Sequence, residues 1–283
     1  MTNAFSLLCT SHGIALLDAV TDWRSLWQSP SVDLPEHGAN AQGWFNGAMP
    51  NDFTAGVTLA GTGFERCDTW LAPGHVQVQL GAPLAEIEHG APGGPVLRMH
   101  PVLIAKLQQW HDNELIISGM GGNEYLTHLF RTAPDYDLVL DGFPVTPGVP
   151  ILPLEVAHGM MERWVAPLVT TLTALRVMST RRVVHMLPPP PLEDIASMPY
   201  TEGFGAAIQK YGFVADSLRL KWYRLYCDMI IARTRAMNID VITPPRGAMT
   251  AEGFLRKDHA EGLTHGNKAY GVLLARKIFQ NEE

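Results

Sequence analysis

The run Ile116-Ile117-Ser118-Gly119-Met120-Gly121-Gly122-Asn123-Glu124 constrains the fold more than any other part of this chain. Residues 114–118 read as a short buried strand, and that strand runs directly into a glycine cluster. Glycines at such a point let the backbone turn sharply and come close to a ligand. Open α/β sheets bind ligands at the carboxyl ends of their strands. Asn123 is therefore delivered where a side-chain N–H can meet something bound.

The rest of the chain supplies the other strands and helices of such a sheet. Residues 5–9 form a second apolar strand, followed by a small-residue turn that holds Ser11. Residues 13–27 predict a helix, with Ile14, Leu17, Val20, Trp23 and Leu26 at roughly helical spacing. Residues 99–111 predict another helix, and 136–140 a short extended segment. A long helix is expected over 155–179, with Pro167 kinking or breaking it. Residues 182–187 read as a strand that ends in Pro188-Pro189-Pro190-Pro191, which continue neither a helix nor an inner strand. A helix over 202–237 broken near Gly212, a strand over 239–242 and a last helix over 267–279 follow. Strands alternating with helices imply a parallel sheet covered on both faces. In residues 30–98, strand-like alternation at 57–59 and 75–80 is punctuated by glycine and proline. That stretch reads as a partly β insertion in a single domain spanning 1–283.

Bulk properties exclude several classes. The formal charge is −7, and the 21 lysines and arginines form no run beyond Arg181-Arg182, so no nucleic acid partner is expected. Cys9, Cys67 and Cys227 are widely spaced and odd in number, which indicates neither a zinc ribbon nor a disulfide framework. The start of the chain shows no basic region leading into a long apolar run with a cleavage site. A cytoplasmic protein without a membrane partner is the expectation.

Three segments carry residues fit for chemistry. Ser11, between a strand and a helix, is either an ordinary helix N-cap or a nucleophile facing backbone N–H donors. His12 is its neighbour, but consecutive residues at a helix start face different sides, so His12 is expected to line the pocket or serve local backbone. Asn123 is either a turn residue or an oxyanion donor. His265, just before the last helix, is either a surface histidine or the base that a serine nucleophile needs. Asp141, Glu155 and His158 match no zinc spacing and read as a solvated face. Arg163 reads likewise as a solvated helix cation. The chain has no Gly-x-Ser-x-Gly, His-Glu-x-x-His, P-loop or Gly-x-Gly-x-x-Gly motif.

In this order the segments resemble the SGNH/GDSL hydrolase family, over nearly the whole chain from Phe5 to Ile278. Cys9-Thr10-Ser11-His12-Gly13 is similar to the family's first block, without its usual Gly-Asp before the serine. Gly121-Gly122-Asn123-Glu124 is similar to the third block. His265 matches the histidine of the fifth block, and the strand ending in prolines and the helix after Asn267 also look like family elements. The resemblance implies a flavodoxin-like three-layer α/β/α fold with a mostly parallel sheet, alongside the insertion at about 30–98. It implies a Ser11 nucleophile, a His265 base and an Asn123 oxyanion donor, with no metal or organic cofactor. The second-block glycine falls on Gly47, with Gly61 as its rival. The acid expected three residues before His265 is replaced by Gly262, which leaves Glu261 or Asp258 to orient the imidazole, or else a backbone carbonyl in a Ser–His dyad. The expected function is a serine esterase acting on a small acyl or O-acetyl ester. An acyltransferase using the same serine, or a non-catalytic binding protein on the same scaffold, are the alternatives. A fold hosts many functions, so neither reaction direction nor substrate follows from the resemblance.

Overall fold

The computed structural model describes residues 4–21, 52–56, 63–71, 83–90, 92–122, 124–125, 135–193, 195 and 210–281. In chain order the elements are β1 (Ala4–Cys9), α1 (Ile14–Val20), β2 (Asp52–Gly56), β3 (Arg66–Leu71), β4 (Ala85–Glu88), β5 (Val96–Met99) and α2 (Pro101–Gln109). Then come β6 (Leu115–Gly119), α3 (Leu154–Met178), β7 (Arg182–Met186), α4 (Asp216–Ala236), β8 (Asp240–Ile242), β9 (Ala260–Glu261), β10 (His265–Gly266) and α5 (Lys268–Phe279).

The main sheet runs β2-β3-β1-β6-β7-β8. The five strands β3, β1, β6, β7 and β8 are mutually parallel, and β2 closes one edge antiparallel to β3. Both inner strands β1 and β6 are buried at every position. That is why they are continuous apolar runs rather than alternating ones. From β1 the chain steps outward to β3, then returns across β1 to β6. The carboxyl ends of β1 and β6 therefore flank the point where the winding reverses, which is where sheets of this kind open a crevice.

Helices cover the sheet in two pairs, α1 against α5 and α3 against α4. The α1–α5 contact is so close that a Cβ on Gly271 would lie 1.7 Å from the Ala15 carbonyl oxygen. The expected break in α3 does not occur: one helix runs through Pro167. A proline in a helix interior costs about 3 kcal/mol. The stripe Met161, Val165, Leu168, Leu172 and Leu175 is buried on either side of it. At about 1.5–3 kcal/mol for each large apolar side chain, packing outweighs the local penalty. The break near Gly212 is present, with φ +71 there, and α4 starts after it at Asp216.

Residues 30–98 supply β2 and β3 to the main sheet. β3 pairs with β1 along its whole length, while β4 and β5 form a separate hairpin whose β4 packs on α3. The alternation expected at 57–59 and 75–80 lies outside the described residues.

Polar side chains tie irregular segments to this frame. The buried Lys221 on α4 donates to Asp137 Oδ1 at 2.7 Å and to the Leu138 carbonyl at 2.8 Å. Burial pushes the Asp137 carboxyl up, but Lys221 and the backbone N–H groups of Thr146 and Leu138 carry it below its ordinary value. The proline run is held by its carbonyls. Tyr223 Oη donates to Pro188 and Tyr125 Oη to Pro189, both at 2.9 Å, and Arg219 donates to Leu192 at 2.6 Å. Among the described residues no helix is long and apolar enough to cross a membrane.

The α1–α5 contact makes a direct prediction. Gly271→Ala forces a backbone clash and lowers the unfolding free energy by about 3 kcal/mol in urea titration. Gly247→Ala, whose Cβ would meet only Leu273 Cδ1 at 3.5 Å, stays close to wild type. A Gly271→Ala protein as stable as wild type contradicts this packing.

Candidate functional site

The loops that leave β1 and β6 are joined at the winding reversal. Thr10 N–H donates to the Gly119 carbonyl at 3.2 Å, and Thr10 Oγ1 donates to the Gly121 carbonyl at 3.3 Å. Cys9 and Gly119 are register partners, so the two chains leave the sheet side by side. Ser11, His12 and Gly13 form a tight 3-10 turn closed by Gly13 N–H to the Thr10 carbonyl at 3.0 Å. Ser11 does not act as a helix cap. The residue capping this turn is Thr10, and that of α1 is Gly13, neither with a side-chain cap hydrogen bond. The Ser11 side chain sits in the turn, with the residue 7 % exposed.

His265 comes to this turn from the other end of the chain. It lies on β10, which pairs antiparallel with β9 and packs against the 3-10 turn. Its ring stacks on His12, with centroids 4.7 Å apart and planes inclined by 24°. Nδ1 is within 3.1 Å of Thr264 Oγ1, and Nε2 is buried without a hydrogen-bond partner. Burial, and then the neighbouring His12, push the His265 imidazole down to about 3. The ring is therefore neutral at physiological pH. No hydrogen bond joins Ser11 to His265, since Nε2 has no partner and Nδ1 is engaged by Thr264.

The two carboxylate choices separate clearly. Glu261 is the register partner of His265 across the β9–β10 ladder, and directly opposite residues share a face. Asp258 instead pairs with Arg256 at 2.7 Å and His259 at 3.0 Å. Those two partners, Arg256 first, hold its carboxyl at about 2, and it stands exposed. Asn123, Gly47 and Gly61 lie outside the described residues. Next to Asn123, Gly122 has φ +100 and donates its N–H to Glu124 Oε2 at 2.6 Å. A Cβ at Gly122 would meet His12 Cδ2 at 2.6 Å and Pro188 Cβ at 2.8 Å. The glycine is required there on both counts.

Two contacts were not foreseen from sequence. Thr264 is the group that holds Nδ1, and the only signal for it is a hydroxyl adjacent to the histidine. The His12 stack arises because β10 folds back over the 3-10 turn, which no local pattern encodes. A second serine–histidine pair, Ser118 Oγ and His185 Nδ1 at 3.2 Å, has suitable distance but is sealed in the sheet at 0 % exposure for both residues. No substrate reaches it, and it serves as an internal polar contact between β6 and β7. Among the described residues no group of three or more His, Cys, Asp or Glu is placed to hold a metal ion.

By sequence the chain matches no family profile and no curated protein. By structure it overlaps the periplasmic domain of a lipopolysaccharide acetyltransferase from Salmonella ser. Paratyphi A. The TM-score is 0.43 at 9 % identity, over 99 % of this chain and 84 % of that one. It also overlaps Est24, a carbohydrate acetylesterase from Sinorhizobium meliloti. There the TM-score is 0.39 at 15 % identity, over 98 % of this chain and 97 % of that one. These overlaps are low and assign no function to this chain.

The buried histidines predict a pH dependence of stability. Burial pushes His185 down to about 4 despite its bond to Ser118, and His265 lies at about 3. In both cases the unfolded chain takes up the proton first. Stability is therefore full above about pH 6.5 and falls as pH drops toward 4. Asp137 and Asp258, held below the ordinary carboxylate value, lose their contribution only below that window. His185 alone contributes on the order of 3 kcal/mol to the fall, at about 1.4 kcal/mol per pKa unit. Urea midpoints measured between pH 7 and 4 should fall less steeply for His185→Gln. An unchanged slope refutes the assignment.

Proposed function

We propose that this protein is a serine esterase acting on a small acyl or O-acetyl ester, with Ser11 as nucleophile and His265 as base. The observation that carries this is the packing of β10, which holds His265, against the 3-10 turn that holds Ser11, at the winding reversal of the sheet. With Nδ1–H donating to Thr264 Oγ1, Nε2 keeps its lone pair and is the atom without a partner. In the proposed cycle Ser11 Oγ attacks the ester carbonyl while His265 Nε2 takes its proton. The tetrahedral intermediate collapses to an acyl-serine, and the leaving alcohol departs with that proton. Water then repeats the sequence and releases the acid. Asn123, the Ser11 N–H and a glycine N–H from Gly47 or Gly61 are the proposed oxyanion donors. No cofactor enters these steps.

Glu261, rather than Asp258, is the acid this proposal carries, because it stands across the ladder from His265 while Asp258 is committed to Arg256; with Nδ1 held by Thr264, its part is to exchange for that hydroxyl when the loop closes on substrate. Loss of the acid lowers kcat by about 10⁴ in the protease template. Acyl transfer to an alcohol through the same serine is the second reading. It is favoured by the burial of Ser11 and of the His265 Nε2, since a water-poor site suits a non-aqueous acceptor.

The test is hydrolysis of p-nitrophenyl acetate and butyrate. Ser11→Ala and His265→Ala should each lower turnover by about 10³-fold or more while remaining folded. Glu261→Gln should fall substantially, and Asp258→Asn should stay near wild type. Product analysis with an added diol separates hydrolysis from transfer. A wild type inactive on both esters, or Ser11→Ala as active as wild type, sinks the esterase proposal and moves the non-catalytic binding alternative ahead.

A further inference from the structure

His12 has no step of its own in the proposed chemistry, yet it is one of the most enclosed side chains at the site, with only 6 % of the residue exposed. One contact of its ring is the His265 imidazole, stacked at 4.7 Å. Another is Gly122, where even a methyl group would come within 2.6 Å of Cδ2 and 2.9 Å of Nε2. A single imidazole thus connects the loop after β6 to the strand that carries the proposed base. The other groups facing His265 are Glu261 across β9 and Thr264 beside it. Tyr270 of α5 lies behind Gly266. Asp258 and His259, on the preceding 3-10 turn, pair with each other.

We infer that His12 is the positioning residue for His265, fixing the plane of the base by stacking and linking it to the Gly121–Gly122 loop. This rests on the reading of His265 as the base for Ser11. Orientation follows from geometry: Thr264 holds one ring nitrogen, and the stack removes rotation out of plane. Charge follows as well. Two stacked imidazoles this close resist carrying two protons, so protonation of either ring disfavours protonation of the other.

The experiment uses the whole chain, with His12→Phe, which keeps a stacking ring without its charge, and His12→Ala, which removes both. Ring signals of the histidines are followed by NMR as pH is lowered, with the His265 signal identified by its loss in His265→Gln. Ester turnover is measured over the same range. Removing the neighbouring imidazole should move the His265 titration, and the acid limb of the turnover profile, upward together in His12→Phe. His12→Ala should lose about tenfold to a hundredfold in kcat with little change in KM, and His12→Phe should recover most of that loss. An active wild type whose His265 titration is the same in His12→Phe, with kcat intact in His12→Ala, overturns the inference alone. A wild type without ester turnover, whose His265 signal still moves in His12→Phe, overturns the esterase reading while the coupling of the two rings stands.

Discussion

The carboxyl edge of the sheet depends on two absent Cβ atoms. At Gly13 a side chain would lie 2.3 Å from Cys9 Cβ, and at Gly119 one would lie 2.9 Å from that same atom and 2.8 Å from Met186 Cε. Both distances are shorter than real contacts, so alanine at either position must displace Cys9, far more at Gly13 than at Gly119. Because both are glycine, the 3-10 turn after β1 folds down over the end of β6. Thr10 then reaches the carbonyls of Gly119 and Gly121. Everything described at the site, from the placement of Ser11 to the stack of His12 on His265, is arranged on that closed corner.

The chemistry of the corner is set by what His265 lacks. A histidine base gains proton affinity from a carboxylate on Nδ1, and here that nitrogen meets a hydroxyl. Burial and a neighbouring imidazole push the other way, so the resting ring strongly prefers the neutral form. A neutral ring with its lone pair on Nε2 is the correct form for a base, though a weakly basic one. General-base catalysis is strongest when the pKa lies near the working pH. In the proposed mechanism Glu261, opposite His265 on the two-residue ladder, is the carboxylate that would raise it. The sealed Ser118–His185 pair shows by contrast that a serine and a histidine within 3.2 Å do not make a site. Access separates the two cases: Ser118 and His185 are sealed inside the sheet, while the 3-10 turn and β10 lie at its carboxyl edge.

Much of this architecture is legible in the residues. Continuous apolar runs at 5–9 and 114–118 announce inner parallel strands, and Pro188 to Pro191 announce the end of β7, because proline has no N–H to continue a ladder. Less legible is β3. Its sequence Arg-Cys-Asp-Thr-Trp-Leu places a carboxylate in a buried strand, which argues against one. Asp68 is tolerated because Asn113 donates to it at 2.8 Å and Arg66 at 3.2 Å, contacts between residues up to 45 positions apart. Pro167 does not interrupt α3 for a similar reason, since local propensity is weak against a buried helix face. At the candidate site, the places of Ser11 after β1 and of His265 before α5 were readable from the residues. The contacts of Thr264 and His12 with His265 were not, because they depend on how β10 returns over the turn. Asp258 and Glu261 were indistinguishable by spacing, and ladder register places Glu261 opposite His265.

The four prolines after β7 have a consequence for charge. Residues 188–191 carry no backbone N–H, and the carbonyls of Pro188, Pro189 and Pro191 already accept from Tyr223, Tyr125 and the Leu255 N–H. Pro188 also lies within reach of Gly122, so this stretch walls one side of the corner. Such a wall has nothing to donate to an anion and presents only hydrocarbon. In the proposed chemistry, negative charge gathering on an acyl group would be turned away from β7 and toward the polar hydrogens after β1 and β6. The prolines act as an insulator that gives the edge a polarity, with one wall inert and the other able to answer the charge.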